Sequence, residues 1–368
     1  MAMTPRQRVE IALRGGMPDR VPFTIYSNKL PRCQAELELR NAGAVLLERS
    51  PSFYRVDTPN CTQKSNSWSE NGAAHVRTEI ETPKGALTTI NRPQSYTTWH
   101  VKRMFSDPTD YDKLISLVRD RRYSPNYEAW KMARDRYGDG VFLRGSMGYS
   151  PLQEIIYGFM GVDRFSMEWA DNRDELLKLY DAMNDSVRAL YPIIGKSPVL
   201  ATNYGGNVSP EIIGKERFEK YILPCYNEAA DVVHDLGDNL LGVHFDANNL
   251  ALADGIAESR IDYIEAFTPP PDCDMSVAQA RSAWPDKPLW INFPSSVHLS
   301  GVEAVTDMTR TILAEAAPGD GFIMGITEDV PDDKWEQTFP AIARVLSEEG
   351  ALPLPGSKSL TPIGEIHT

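Results

Sequence analysis

The chain has 368 residues, of which 51 are Asp or Glu and 38 are Lys or Arg, so its formal net charge at pH 7 is −13. Hydrophobic residues make up 42% and charged residues 24%, a composition typical of a folded globular protein and not of a disordered one. An acidic chain without a long basic run does not match nucleic acid or an anionic membrane, and we expect neither as a partner.

The cysteine pattern and the apolar segments indicate the cellular setting. Cys33, Cys61, Cys225 and Cys273 are far apart along the chain and form no CxxC pair, which disfavours a disulfide framework and favours a reducing compartment. No stretch approaches the roughly 18 consecutive apolar residues of a transmembrane helix, and the first residues lack the uninterrupted apolar core of a signal peptide. We therefore expect a soluble, cytoplasmic protein.

The first predicted element is a short amphipathic helix over residues 4–15, with Thr4 as its N-cap and Pro5 at its first helical position. Short apolar runs then predict eight strands, at Val21–Tyr26, Phe53–Val56, Val141–Gly145, Val199–Tyr204, Leu240–Phe245, Tyr263–Phe267, Leu289–Phe293 and Phe322–Ile326. Helical patterns separate most of these runs, over residues 34–47, 151–195, 210–236, 250–259, 274–284, 301–316 and 332–348.

The order of these elements predicts the fold. Most of the eight runs are continuously apolar, which is typical of strands buried on both faces of a parallel sheet. About eight strands that alternate with helices predict an α/β protein with a single (β/α)₈ barrel domain over residues 1–351. The alternative is a doubly wound open sheet, but the chain contains no GxGxxG or Walker sequence for its switch point.

Two segments depart from the alternation. We predict an insertion over residues 60–100, after the second strand. Within it, Val76–Glu81 and Ala86–Ile90 flank Thr82-Pro83-Lys84-Gly85, a pattern typical of a β-hairpin with a tight turn. Residues 352–368 have no apolar period and predict an extended or disordered tail.

The segment LLGVHFDANN carries the sharpest sign of chemistry, because the active site of such a barrel lies at the C-terminal ends of the strands. His244 and Asp246 are two residues apart, so on a strand their side chains face the same side. Glu328, just past the eighth strand, can complete a three-ligand zinc site with one open position. The residues alone leave open the alternative of a hydrogen-bonded His–Asp pair without a metal.

Other polar residues end the predicted strands. Arg144 can bind a substrate carboxylate through two guanidinium nitrogens, or it can form an ion pair within the barrel mouth. The candidates for substrate binding are Tyr26, Asn203, Tyr204, Glu265 and Asn292.

Four longer segments are informative together. They are MTPRQRVEIALRGGMPDRVPF, TPKGALTTINRPQSYTTWHVKRMFSDPTDYDKL, IEAFTPPPDCDMSVAQAR and GDGFIMGITEDVPDDKWE. In this order they resemble the superfamily of uroporphyrinogen decarboxylases and cobalamin-dependent methyltransferases, and the resemblance extends over nearly all of residues 3–350. It implies a (β/α)₈ barrel independently of the apolar periodicity.

The resemblance covers two activities. The decarboxylases act on a tetrapyrrole without a cofactor and hold its carboxylates with an N-terminal arginine-rich motif, which the loop SNKLPRCQAELELR does not reproduce, although it contains Arg32. The methyltransferases bind Zn²⁺ through His-x-Cys and a further Cys. Here His244 matches the histidine, Asp246 stands in place of the first Cys, and Glu328 falls at or next to the second. The resemblance thus implies these three residues as metal ligands.

Carboxylates are harder ligands than thiolates and leave zinc a stronger Lewis acid, which suits an oxygen or nitrogen leaving group. The resemblance implies a zinc-dependent methyltransferase that moves a methyl group from a small O- or N-methylated substrate to a corrinoid. Asp246, Glu328 and Arg144 are its catalytic candidates. No DxHxxG corrinoid-binding sequence occurs in the chain, so we expect the corrinoid on a partner protein, and the superfamily is compatible with a homodimer.

Two alternatives remain open at this stage. The first is a decarboxylase or lyase that acts on a small carboxylated substrate held by Arg144 or Arg32. The second is a barrel without catalytic activity that serves as a binding subunit.

Overall fold

A computed structural model describes residues 3–94 and 97–355 of the chain. In chain order the strands are β1 (Phe23–Tyr26), β2 (Ala44–Glu48), β3 (Tyr54–Asp57), β4 (Thr62–Glu70), β5 (Ala73–Thr82), β6 (Gly85–Pro93), β7 (Thr98–Lys102), β8 (Arg122–Pro125), β9 (Val141–Leu143), β10 (Gly145–Ser146), β11 (Ala201–Asn203), β12 (Leu240–His244), β13 (Tyr263–Phe267), β14 (Leu289–Ile291) and β15 (Phe322–Ile326).

The α-helices surround these strands and alternate with most of them. They are α1 (Pro5–Leu13), α2 (Gln34–Asn41), α3 (Tyr111–Arg119), α4 (Tyr127–Tyr137), α5 (Pro151–Gln153), α6 (Val162–Asp171), α7 (Arg173–Val187), α8 (Tyr191–Gly195), α9 (Pro210–Ile213), α10 (Lys215–Arg217), α11 (Leu223–Leu236), α12 (Ala253–Glu258), α13 (Val277–Ala283), α14 (Val302–Ala316) and α15 (Asp332–Glu349). None of the described helices has the length and apolar character needed to cross a bilayer.

The central sheet confirms the predicted barrel class. Its parallel strands follow the order β10-β11-β12-β13-β14-β15-β1-β2-β9 and form a nearly closed barrel. β9 and β10 are two parts of one barrel strand, interrupted at Arg144, whose backbone N–H donates to the carbonyl of Glu48 in β2. Eight strand positions therefore surround the axis, as in a (β/α)₈ barrel.

The barrel interior is a separate apolar cluster, distinct from the larger layer between strands and helices. Every second side chain of the strands points inward, and Trp290 in the interior donates its indole N–H to the hydroxyl of Thr24 at 2.8 Å. Helix α1 closes the N-terminal end of this cluster with three apolar side chains. The cluster contains Val9, Ala12, Leu13, Tyr26, Val45, Leu47, Phe142, Ala201, Tyr263, Trp290 and Ile323.

The second barrel strand differs from the prediction. Helix α2 ends at Asn41, Gly43 adopts a left-handed φ of 98°, and the next five residues form β2. The predicted strand at Phe53–Val56 corresponds to β3, which pairs antiparallel with β8 outside the barrel. The prediction of a helix over residues 34–47 was therefore wrong at its C-terminal end, because Ala and Leu continue a helical pattern that Gly43 ends.

Other helices also differ from the prediction: two predicted helices are divided into shorter ones, and two observed helices were not predicted. The pattern over residues 151–195 forms α5 to α8, with a π-helical segment at Glu154–Met160 and a break at Gly161, whose φ is 82°. The pattern over residues 210–236 is likewise divided into α9, α10, a π-helical segment and α11. Helices α3 and α4 were not predicted.

The insertion is larger than one hairpin. Strands β4 to β7 form a four-stranded antiparallel sheet, in which β5 and β6 meet at a tight turn between Thr82 and Gly85. At the other end of the chain, Ala351 pairs with Arg20 and Leu354 is buried. Residues 356–368, most of the predicted tail, lie outside the described residues, and the division into one domain stays a prediction.

Candidate active site

Three metal-ligating residue types meet at the C-terminal end of the barrel. His244 is the last residue of β12, Asp246 follows two residues later, and Glu328 follows β15 by two residues. One ligand atom from each residue lies within 4.8 Å of the other two. The imidazole Nε2 of His244 is 3.4 Å from Oδ2 of Asp246, so the pair that the sequence places two residues apart does face one point.

The other imidazole nitrogen of His244 is hydrogen-bonded to Glu265, the central residue of β13. Nδ1 of His244 donates to Oε2 of Glu265 at 2.6 Å, which leaves Nε2 directed toward Asp246. Three more groups surround the same carboxylate: the Tyr26 hydroxyl donates to Oε1 at 2.5 Å, the Asn203 amide donates to Oε2 at 2.9 Å, and Arg144 Nη1 lies 2.9 Å from Oε1. The imidazole ring is therefore fixed in both position and tautomer.

The charges of this network compensate one another inside the barrel. Burial raises the pKa of Glu265, but the Arg144 guanidinium and His244 outweigh it and hold that pKa well below its ordinary value. Burial lowers the pKa of His244, but the Glu265 and Asp246 carboxylates outweigh it and raise that pKa in the metal-free chain. A metal ion at Nε2 thus competes with a proton for the imidazole.

Glu265 points into the barrel by ordinary alternation, because Tyr263 two residues earlier lies in the interior cluster, and an irregularity after Glu265 turns Phe267 away from that side. The register between β13 and β14 shifts between Glu265 and Phe267, and Ala266 between them has a φ of 60°. Strict alternation would place Phe267 on the same side as Glu265. Instead, Phe267 packs edge-on against Trp284, with ring centroids 5.8 Å apart. A β-bulge of this kind re-aims side chains next to active sites.

An imidazole and two carboxylates are ligand types that bind zinc, and two of the three have the spacing of a zinc site. Zn–N and Zn–O bonds of about 2.0–2.2 Å at a tetrahedral angle put two ligand atoms about 3.4 Å apart, and Nε2 of His244 and Oδ2 of Asp246 have that separation. Among the described residues, Oδ1 of Asp246 is buried and has no hydrogen-bond partner. Burial and the neighbouring Asp246 raise the pKa of Glu328, so a cation would relieve the crowding of these carboxylates.

A cavity of about 200 Å³ opens beside His244 at the mouth of the barrel. Among the described residues its lining includes two arginines, two tyrosines, a serine, two asparagines, His244 and no carboxylate. The lining residues are Tyr26, Arg49, Arg144, Ser146, Gly148, Tyr149, Asn203, Gly205, Gly206, Asn207 and His244. We name it the catalytic cavity.

Comparison with protein families identifies the chain. The model of the uroporphyrinogen decarboxylase (URO-D) family matches residues 89–343, which is more than half of the chain and includes β9 to β15. The chain belongs to the uroporphyrinogen decarboxylase family. This URO-D family protein has no match among curated proteins.

One solved structure shows the same fold. A methyltransferase from Methanosarcina mazei matches this URO-D family protein over 94% of the chain and 99% of its own length, with a TM-score of 0.56 and 10% sequence identity. A GH113 beta-1,4-mannanase matches over 90% of the chain and 98% of its own length at 13% identity, but its TM-score is 0.36. The first match shows that the two proteins share the barrel architecture. The TM-score of the second match is too low to establish a common fold.

Three residues of this URO-D family protein that the sequence predicts to bind substrate do not line the catalytic cavity. Glu265 is fully buried, and its oxygens are engaged by the network described above. Tyr204 is fully buried toward the helices, where its hydroxyl lies 3.3 Å from that of Tyr191. Asn292 is buried and accepts the backbone N–H of Thr327 at 2.9 Å, so it joins β14 to the loop after β15. Each of these three residues finds polar partners inside the protein, and their contact with substrate stays a prediction.

The other candidates line the catalytic cavity. Tyr26, Arg144 and Asn203 do so, although Arg144 is already paired with Glu265. Arg32 lies on a different cleft, lined also by Glu36 and Arg40, so neither arginine of the decarboxylase alternative is a free cation at this site.

Sequence reasoning missed three lining residues of the URO-D family protein. Arg49 directly follows β2, and its guanidinium lies 4.9 Å from the centroid of the Tyr26 ring. Arg49 was missed because the second barrel strand was predicted at Phe53–Val56, too far along the chain. Gly43, which ends helix α2 before β2 begins, is the sequence signal that could have located this strand. Tyr149 and Asn207 lie on the loops after β10 and β11, and no local pattern distinguishes them from other loop residues.

Proposed function

We propose that this protein is a zinc-dependent methyltransferase that demethylates a small O- or N-methylated compound. The convergence of His244, Asp246 and Glu328 at the C-terminal end of the barrel is the observation that supports it. These residues would hold zinc and leave one position open. When bound, zinc would act as a Lewis acid toward the leaving heteroatom of the substrate.

The chain's own residues prepare the site for this reaction. Glu265 holds His244 Nδ1 at 2.6 Å and so presents Nε2 to the cavity, and Arg144 compensates the charge of Glu265. The raised pKa of Glu328, caused by burial and by Asp246, also suits this carboxyl for donating a proton to the leaving group when it is not a ligand.

We further propose that the methyl acceptor is a reduced corrinoid held by a partner protein. The bond that breaks joins the methyl carbon to the substrate's oxygen or nitrogen, and its electron pair stays on that atom, which takes up one proton. The methyl carbon forms its new bond with an electron pair of the reduced cobalt. The open mouth of the barrel beside His244, whose side chain is 15% exposed, is where the acceptor would approach.

One observation favours the decarboxylase alternative. Arg49 lines the catalytic cavity, and none of the ion pairs identified among the described residues involves its guanidinium. A guanidinium group there can bind a substrate carboxylate. Under this alternative the protein would release carbon dioxide without needing His244 as a metal ligand.

A methyl-transfer assay separates the two functions. The zinc-loaded chain is incubated with free cob(I)alamin and with methyl ethers or methylated amines, and methylcobalamin is measured by absorbance. We expect methyl transfer that falls by more than about 100-fold in His244→Ala, whereas His234→Ala, a surface histidine paired with Asp262, keeps it. Carbon dioxide release from carboxylic acids, unchanged in His244→Ala and without any methyl transfer, would contradict the proposal.

A further inference from the structure

A second and larger cavity, of about 450 Å³, lies next to the catalytic cavity. It lies between β3, the start of β8, the loop after β10, helix α5, the π-helical segment Glu154–Met160 and helix α7. Its lining consists of Tyr54, Val56, Arg121, Tyr123, Met147, Gly148, Tyr149, Pro151, Glu154, Gly158, Met183 and Val187. We name it the aromatic cavity.

Most side chains that line the aromatic cavity are apolar or aromatic. Met147, Met183 and Val187 at its base are 5%, 2% and 9% exposed, and the rings of Tyr54 and Tyr123 have centroids 6.1 Å apart. Thioether and tyrosine side chains make favourable contacts with aromatic rings. The chemistry of this lining therefore fits a flat apolar group.

The charged side chains in the aromatic cavity neutralise each other. Arg121 and Glu154 form a two-point ion pair, with Nη2 to Oε1 at 2.6 Å and Nη1 to Oε2 at 3.2 Å. Burial raises the pKa of Tyr54 to about 12, so its phenol is neutral at physiological pH. No charge is left over in this lining to attract an ionic ligand, and the cavity favours a neutral one.

The two cavities meet at Gly148 and Tyr149, which line both. Tyr149 is 38% exposed and packs against Tyr157, with ring centroids 5.6 Å apart. Burial and the charge of Asp246 raise the pKa of Tyr149, so this phenol lies within electrostatic reach of a proposed metal ligand. Because Tyr149 belongs to both linings, a molecule that occupies both cavities would pass beside this side chain.

We propose that the aromatic cavity binds the ring of the methyl donor, which is therefore a neutral aryl methyl ether or N-methyl arylamine. The assignment of the methyl group rests on the proposed function, whereas the binding of the ring does not. A cavity of about 150 Å³ is enough for benzene, so the aromatic cavity accepts a substituted ring. The catalytic cavity, of about 200 Å³, takes the methylated heteroatom.

Calorimetric binding of methoxybenzene to the zinc-loaded chain tests this assignment. We expect methoxybenzene to bind and methanol and trimethylamine to bind at least tenfold more weakly. Met183→Trp fills the base of the cavity and should weaken methoxybenzene binding at least tenfold without loss of zinc. The matched control is Met167→Trp on α6, where Met167 is 54% exposed, and it should bind as the wild type does.

A second variant keeps the test decisive if Met183→Trp does not fold. Val56 is 45% exposed at the rim, so Val56→Trp covers the opening without entering the core, and it should also weaken binding at least tenfold. Unchanged methoxybenzene binding in the folded variants, or stronger binding of trimethylamine than of methoxybenzene, overturns the assignment. Methoxybenzene binding that persists in a chain without methyl transfer contradicts only the proposed function.

Discussion

Nδ1 of His244 lies 2.6 Å from Oε2 of Glu265, and this carboxylate is fully buried. The contact joins the interior of the barrel to its mouth, because Glu265 is paired with Arg144 on one side and directs His244 toward Asp246 on the other. Glu265 is thus a positioning residue with two separable roles, the compensation of a buried cation and the orientation of a proposed metal ligand.

Glu265→Gln separates these roles. The amide can still accept a hydrogen bond from His244, but it leaves the buried Arg144 charge uncompensated, so the free energy of unfolding should fall by about 3–5 kcal/mol. Zinc affinity should fall by about 10- to 100-fold, because a neutral partner makes the imidazole a weaker ligand. Chemical denaturation and competitive zinc titration measure the two effects.

The double variant Glu265→Gln/Arg144→Met serves as the control. Removing the cation as well should restore most of the lost stability while zinc affinity remains low. Zinc affinity equal to that of the wild type in Glu265→Gln would show that Glu265 does not support the metal site.

The barrel architecture follows from the sequence, except for the position of the second barrel strand. The continuously apolar run Phe322–Ile326 coincides with β15, because strands buried on both faces need no polar alternation. The run Tyr263–Phe267, which is apolar except for Glu265, coincides with β13. The strand Ala44–Glu48 was assigned to a helix, since Ala and Leu are strong helix formers and periodicity cannot distinguish a five-residue continuation of a helix from a short strand.

The convergence of the candidate ligands at the strand ends follows from the sequence, whereas the hydrogen-bond partners of the neighbouring residues do not. The rule that strand ends carry the site brought His244, Asp246 and Glu328 together. The same rule also selects Tyr204 and Asn292, which do not line the catalytic cavity, because a polar residue at a strand end can satisfy its hydrogen bonds inside the protein. Which of these occurs depends on partners distant in sequence, such as Tyr191 and Thr327.

Position 242 in β12 requires a glycine, because the ring of Tyr263 on β13 occupies the space of a side chain. A Cβ atom at this position would lie 2.2 Å from the ring of Tyr263, whose hydroxyl donates to Asn203 at 2.7 Å. Gly242→Ala should therefore lower the free energy of unfolding by roughly 3 kcal/mol, the upper end for an overpacked core. Denaturant unfolding measures it, and Gly242→Ala/Tyr263→Val should recover part of the loss. An alanine variant as stable as the wild type would contradict the close approach.

Helix α1 stabilises the barrel by closing its N-terminal end. Leu13 is 1% exposed within the interior cluster, so Leu13→Ala should lower the free energy of unfolding by about 2–5 kcal/mol. Ile11→Ala on the same helix is the matched control, because Ile11 is only partly buried, and its effect should be smaller. Equal effects of the two substitutions in thermal unfolding would contradict the role of α1 as a closure.

His298 should make stability depend on pH. Its side chain is fully buried between Phe293 and Phe339, and burial lowers its pKa from 6.5 to about 4, with Asp272 opposing the shift. Below about pH 6.5 the imidazole binds a proton in the unfolded chain but stays neutral in the folded chain. The free energy of unfolding therefore decreases as the pH falls toward 4. The loss is roughly 3 kcal/mol.

The variant His298→Gln removes this titration. Its stability, measured by denaturation at several pH values, should fall less steeply than that of the wild type between pH 6.5 and 4. Identical slopes in the two proteins would contradict the assignment of a neutral, buried imidazole at position 298.

The metal content of the purified chain decides whether His244, Asp246 and Glu328 form a metal centre. Protein prepared without chelators should contain about one zinc per chain by elemental analysis, His244→Ala should contain almost none, and the surface variant His234→Ala should match the wild type. A wild-type chain without stoichiometric divalent metal even after incubation with zinc, or a His244→Ala variant that binds zinc as tightly as the wild type, would contradict the metal centre.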